Sequence, residues 1–99
     1  MANYILTNKA VEDLSQIWDY SFEVWSESHA DKYYYMLVDA FQELADKKIE
    51  GKNYSEINKD IFGFKTGQHI IFYKKRKDNK IEIVRILHNR RDLKNRIQE

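Results

Sequence analysis

The hydrophobic period of this chain changes once, at Gly51, and that change limits the folds open to it. Before it, apolar residues recur every three or four positions. In residues 8–25, NKAVEDLSQIWDYSFEVW, the residues Ala10, Leu14, Ile17, Trp18, Ser21 and Trp25 form one stripe of an amphipathic helix, and the two tryptophans are expected to fill the core. Thr7 or Asn8 can cap its start, and Glu12 and Asp13 come early, where the helix dipole favours anions. Residues 29–48, HADKYYYMLVDAFQELADKK, repeat the pattern with Ala30, Tyr33, Leu37, Ala40, Phe41 and Leu44. Ser28 and Asp31 read as a capping box, and Lys47 and Lys48 suit the C-terminal end. The connection SES is short, so the helices are expected to form an antiparallel hairpin.

After Gly51 the apolar runs IFGFK, QHIIFYKKRK and KIEIVRIL are short, β-branched and aromatic, as strands are. Thr66-Gly67 and Asp78-Asn79 are the turn pairs between them, which makes a three-stranded meander. NYIL at 3–6 is a fourth strand, and the polar stretch 49–60 reads as a crossing loop. In KIEIVRIL, strict alternation puts Ile81, Ile83, Arg85 and Leu87 on one face and Glu82, Val84, Ile86 and His88 on the other. Both faces are largely apolar, so both need cover. One cover is the helical hairpin; the other is a short C-terminal helix from about Arg90, or a partner. The expected fold is α+β, in the order β-α-α-β-β-β(-α), with an antiparallel sheet packed against an α-helical hairpin and one domain over residues 1–99.

Composition narrows the chemistry. With no cysteine, thiolate metal sites and disulfides are excluded, and His29, His69 and His88 are too scattered to suggest a metal centre or any cofactor. No run is long and apolar enough for a membrane helix and no signal peptide is evident, so a cytoplasmic location is expected. The net charge of +1 conceals a division: residues 1–50 carry four Lys/Arg and ten Asp/Glu (4 − 10 = −6), residues 51–99 thirteen and six (13 − 6 = +7). Such a division marks two faces suited to different partners, or ordinary solvated charge.

The residues in order resemble the ParE branch of the RelE/ParE toxins of bacterial toxin–antitoxin pairs. The resemblance is carried by Y-x-L-T-x-x-A-x-x-D-L from Tyr4 to Leu14, IWDY at 17–20, Trp25, and Ala30 with Tyr33. It continues in G-x-H-x-I-F-Y (Gly67, His69, Ile71, Phe72, Tyr73) and I-x-I-V-R-I-L-H-x-R-x-D from Ile81 to Asp92. It implies a toxin that inhibits DNA gyrase and blocks replication. It also implies a cognate ParD-like antitoxin, a ribbon-helix-helix dimer whose extended arm neutralises the toxin. RelE-like relatives instead cleave mRNA on the ribosome, using Lys and Arg on the sheet and a tail residue, often aromatic. Here the strand before the glycine turn reads Ile61-Phe62-Gly63-Phe64-Lys65, the position after the turn is His69, and the tail LKNRIQE has no aromatic residue. A non-enzymatic toxin is therefore expected. Ribosome-dependent endoribonuclease and non-toxic protein-binding adaptor remain the alternatives.

No catalytic residue is expected. The stretch RILHNRRDL can act as a knot, with His88, Arg90 and Asp92 bonding one another, or as a grip, with Arg85, Arg90 and Arg91 offering guanidinium forks to a partner's carboxylates. His69 is expected to be inward and hydrogen-bonded. Tyr34 and Tyr35 cannot both join Tyr33 on the buried stripe. One of them, with Tyr20 or Phe22, can make an exposed aromatic patch for the antitoxin or target. Lys74-Lys75-Arg76-Lys77 is expected to be a solvated hairpin tip, and no direct nucleic-acid binding is expected because no groove-reading motif accompanies it.

Overall fold

The computed structural model describes residues 3–89 and 97. β1 (Tyr4–Leu6) leads into α1 (Asn8–Val24), which folds back through a short turn into α2 (Glu27–Ala45). The chain then forms β2 (Lys52–Asn53), β3 (Phe62–Thr66), β4 (His69–Lys75) and β5 (Ile81–His88). The sheet order is β1-β5-β4-β3-β2, with β1 parallel to β5 and the other pairs antiparallel. The fold class is the expected α+β hairpin on a sheet; its β1 edge makes the sheet mixed.

Thr7 caps α1, its side chain accepting from the Ala10 N–H while its own hydroxyl donates to the Val84 carbonyl. One residue thus starts the helix and ties it to β5. Ser26, not Ser28, caps α2, accepting from the His29 N–H. α2 ends two residues before Lys47, which takes a left-handed φ of 61°. The Lys48 N–H donates to the Glu43 carbonyl and the Lys47 N–H to Leu44, the bond pattern of a Schellman terminus. The buried stripe of α1 is Ala10, Asp13, Leu14 and Ser21, with Ile17 at its margin. The tryptophans do not fill the core: Trp25 is 67% exposed, and Trp18 lies at the helix flank with its indole N–H on Asp31. An indole whose N–H needs a polar partner is better placed at such an edge than inside.

Helix-facing core residues include Leu37, Phe41, Leu44, Ile71, Tyr73, Ile81, Ile83 and Ile86. The opposite face carries Ile61, Ile70, Phe72 and Leu87, with Tyr54, Val84 and Ile97 packed against them. Strict alternation in β5 therefore fails. The register slips between Phe72↔Arg85 and Tyr73↔Ile83, so Val84 has no opposite residue. Beyond this bulge the parity inverts, which turns Ile86 to the helices and Leu87 to the far side. Because β5 is largely apolar on both faces, alternation alone does not mark where that happens. The expected C-terminal helix from Arg90 lies outside the described residues.

Two connections differ from expectation. The β3–β4 turn is Gly67-Gln68, because Thr66 pairs with His69. The stretch 49–60 is not all loop: β2 extends the sheet, with Lys52 opposite Gly63. Its two exposed polar residues carry no alternation to read.

Candidate functional site

Three sets of side chains concentrate the polar chemistry and the exposed apolar surface. The first lies where α1 meets β5. β1 covers β5 only as far as Ile83, and α1 fills the edge beyond. The Asp13 carboxylate faces that edge. It accepts from Arg85 Nε at 2.7 Å, from Arg85 Nη2 at 3.0 Å and from the Ile86 backbone N–H at 3.0 Å. Both side chains are only 8% exposed. Arg85 is therefore not a surface grip: its guanidinium is held by Asp13, and the same carboxylate replaces the missing strand partner of Ile86. Nor does Asp13 serve the helix dipole, since it lies beyond the first turn of α1.

The second set is at the β3–β4 turn. Gly67 has φ of +58°, and a Cβ there would stand 2.7 Å from the Tyr33 hydroxyl. Only glycine meets both conditions. This close approach lets the Gln68 N–H donate to Tyr33 Oη at 2.9 Å. The same hydroxyl lies 2.6 Å from His69 Nδ1. With one lone pair used by Gln68, the hydroxyl can either donate its proton to Nδ1 or accept from it; in both tautomers Nδ1 is engaged by Tyr33. Burial lowers the His69 pKa from 6.5 to about 4, with repulsion from His88 adding and Asp13 opposing. His69 is thus neutral near pH 7, inward and hydrogen-bonded, as expected. Burial also raises the Tyr33 pKa, against the lowering effect of the Gln68 N–H. His88 pairs across the strands with His69, ring centroids 5.5 Å apart. A neutral imidazole whose Nδ1 is occupied can neutralise no phosphate charge. On the preceding strand Phe62 and Phe64 pack on the core and Gly63 is buried, leaving exposed Lys65 as the only cation of β3.

The third set is the outer surface of the helical hairpin. Tyr20, Phe22, Tyr34 and Tyr35 are all exposed. Phe22 stacks on Trp18 at 5.2 Å, and Trp18 reaches α2 through Asp31, one turn from Tyr34 and Tyr35. Phe22 rather than Tyr20 therefore lies toward the α2 aromatics; Tyr20, two residues away, projects from the other flank of α1. On the far side of α2, an open groove of about 610 Å³ runs to β3 between Tyr35, Met36, Asp39, Ile49, Phe64 and Thr66. β2 pairs only with Phe62 and Gly63, so among the described residues the β3 edge along this groove has no strand partner. Arg90, Arg91 and Asp92 lie outside the described residues, and the proposed knot with His88 lies there too.

Residues 4–93 match the family model described as "ParE toxin of type II toxin-antitoxin system, parDE". The chain belongs to the ParE toxin family. Toxin ParE1 of Mycobacterium tuberculosis is 29% identical over 92 residues, covering 93% of this chain and 94% of that protein. Toxin ParE1 of Caulobacter vibrioides is 30% identical over 88 residues, covering 89% and 90%. Among solved structures, a chain of the "Chromosomal ParDE TA system from P. aeruginosa" superposes with a TM-score of 0.72 at 22% identity, covering 89% of this chain and 96% of that one, a likeness of fold. For this ParE family member, two features were missed in the sequence. Asp13 looked like a dipole residue, because nothing local links it to a strand 72 positions away. Tyr33 looked like plain core, because the partner of its hydroxyl is fixed by a turn 35 positions on. Among the described residues no helix is long and apolar enough to cross a membrane, and no group of three or more His, Asp or Glu could hold a metal.

Proposed function

We propose that this chain is the toxin of a type II toxin–antitoxin pair that inhibits DNA gyrase, blocks replication and is neutralised by a ParD-like antitoxin of the ribbon-helix-helix type. The observation that carries the proposal is the family match over residues 4–93. The site geometry supports a non-enzymatic mode of action. β3 offers Lys65 alone, and His69 is a neutral imidazole engaged by Tyr33, whereas RNA cleavage requires groups that move a proton and stabilise phosphate charge. The groove between α2 and β3 supports a seat for the antitoxin arm. It has an apolar floor beside an unpaired strand edge, which suits an amphipathic segment entering with alternate side chains inward.

The test is expression of the chain alone, followed by supercoiling of relaxed plasmid by purified gyrase in its presence. Growth arrest with loss of supercoiling, both relieved by the co-expressed antitoxin, is the expected result. Site-specific mRNA cuts in programmed ribosomes, lost in His69→Ala, would instead establish the endoribonuclease alternative. Antitoxin binding without growth arrest would establish the adaptor.

A further inference from the structure

Every exposed large hydrophobic side chain among the described residues, except Ile5, belongs to the helical hairpin or its turn. They are ordered. Val11, Trp18 and Phe22 follow at seven- and four-residue spacing and share one stripe of α1. Asp31, Tyr34 and Tyr35 share one face of α2 by their three- and four-residue spacing. The Trp18 indole N–H donates to Asp31 Oδ1 at 3.0 Å and joins the two stripes into a seam on the outside of the molecule. Phe22 stacks on Trp18 and extends the seam; the Tyr34–Tyr35 pair closes its other end, ring centroids 5.5 Å apart.

Carboxylates flank the seam. Glu12, Asp19 and Glu23 recur at the same seven- and four-residue spacing on the neighbouring stripe of α1, and all are exposed. Residues 8–45 carry eight Asp/Glu and two Lys (2 − 8 = −6), and the one buried carboxylate, Asp13, is already matched by Arg85. Aromatic faces between exposed acids form a surface of one sign. An arginine can lie over an indole or phenyl ring while its fork meets a carboxylate, and apolar side chains can fill between the rings.

We infer that the acidic aromatic seam Val11–Trp18–Phe22–Asp31 of the hairpin docks a basic amphipathic segment of the toxin's target protein. Assigning the occupant to the target rests on the proposed function. The proposed antitoxin groove opens on the β3 side of α2, which leaves the outer seam to the target. Opposite charge would steer association of the basic segment, and the aromatic contacts would slow its release.

The surface is tested directly with a synthetic amphipathic peptide bearing Arg along one face and Leu along the other, and with its Glu counterpart. Trp18 and Trp25, the two tryptophans of the chain, report through their fluorescence. The Arg peptide is expected to shift the emission to the blue, in a salt-dependent way, and the Glu peptide is not. Phe22→Ser and the pair Asp19→Lys/Glu23→Lys should each weaken that binding on the order of tenfold or more. These positions are exposed, so melting temperature and antitoxin binding should be retained while growth arrest is lost. Equal response to both peptides, or full toxicity in both variants, would overturn the inference. So would a dimer that these variants dissociate, which would make the seam a contact between copies. Growth arrest without gyrase inhibition would refute the gyrase reading yet leave the seam's test intact, because the peptide and variant readouts do not depend on which protein is poisoned.

Discussion

Removing the Asp13 carboxylate should strongly destabilise this protein. In Asp13→Ala, Arg85 keeps a guanidinium that is 8% exposed but loses both of its bonds to the carboxylate, and the Ile86 N–H loses its acceptor. Breaking a buried ion pair from one side costs about 3–5 kcal/mol, and here three bonds to the carboxylate are lost together at a site largely closed to water. A domain of this size has roughly 5–15 kcal/mol of stability, so the loss runs from about a fifth of it to all of it. The melting temperature should fall by roughly 12–40 °C, at about 4–8 °C per kcal/mol. Thermal and urea melts of the purified protein measure this. The double variant Asp13→Leu/Arg85→Met removes both charges and keeps apolar volume, so it should recover at least half of the loss. A cost for Asp13→Ala under about 1 kcal/mol, the value of an exposed pair, would refute the reasoning. So would a double variant no more stable than the single one.

Three other perturbations follow from the same structure. His69 has a folded pKa of about 4, below its unfolded value of 6.5, so its contribution is complete above pH 6.5 and is lost as pH falls through 4. The ceiling of about 3 kcal/mol is screened to about 1–2 kcal/mol because the ring is only partly buried, and urea melts should show a flatter acid limb in His69→Gln. Lys47→Gly should stabilise by about 1 kcal/mol, since it relieves a left-handed residue at the end of α2, and an unchanged midpoint in urea would count against that terminus. Gly67→Ala should cost about 1–3 kcal/mol and release the Tyr33–His69 bond, visible as a rise in the His69 pKa by NMR titration.

Most of the architecture was legible because local period and tertiary burial agree. Ala30, Leu37, Ala40, Phe41 and Leu44 are spaced for a helix, and with Ala45 they are the residues α2 buries. Reading failed where a residue's role depends on something distant. Trp18 and Trp25 fit the apolar period of α1, but the sheet beneath is met by Ala10, Leu14 and Ile17, and the tryptophans fall on the outer shoulder. Arg85 was read with Arg90 and Arg91 as a guanidinium fork for a partner, and alternation alone does not announce the bulge that accompanies its turn toward α1. For the candidate contacts, exposure of Tyr20, Phe22, Tyr34 and Tyr35 was half legible: helical spacing excludes Tyr34 and Tyr35 from the stripe of Tyr33 together, but only the Trp18–Asp31 bond tells which α1 aromatic joins them.

The division of charge between the halves also acquires a physical meaning. α1 and α2 form the layer that carries the acidic excess, and the sheet carries most of the basic one, so the two layers attract where they touch. Inside the molecule that attraction is concentrated at Asp13 and Arg85; the pair Lys75–Glu50 is exposed and contributes little. On the outside, Glu12, Asp19 and Glu23 stay exposed along α1. Reversing Asp19 and Glu23 should leave folding intact while inverting what the hairpin attracts, whereas altering Asp13 should weaken the fold without changing the outer face. Two sets of carboxylates on the same helix, one turned in and one turned out, thus divide stability from recognition.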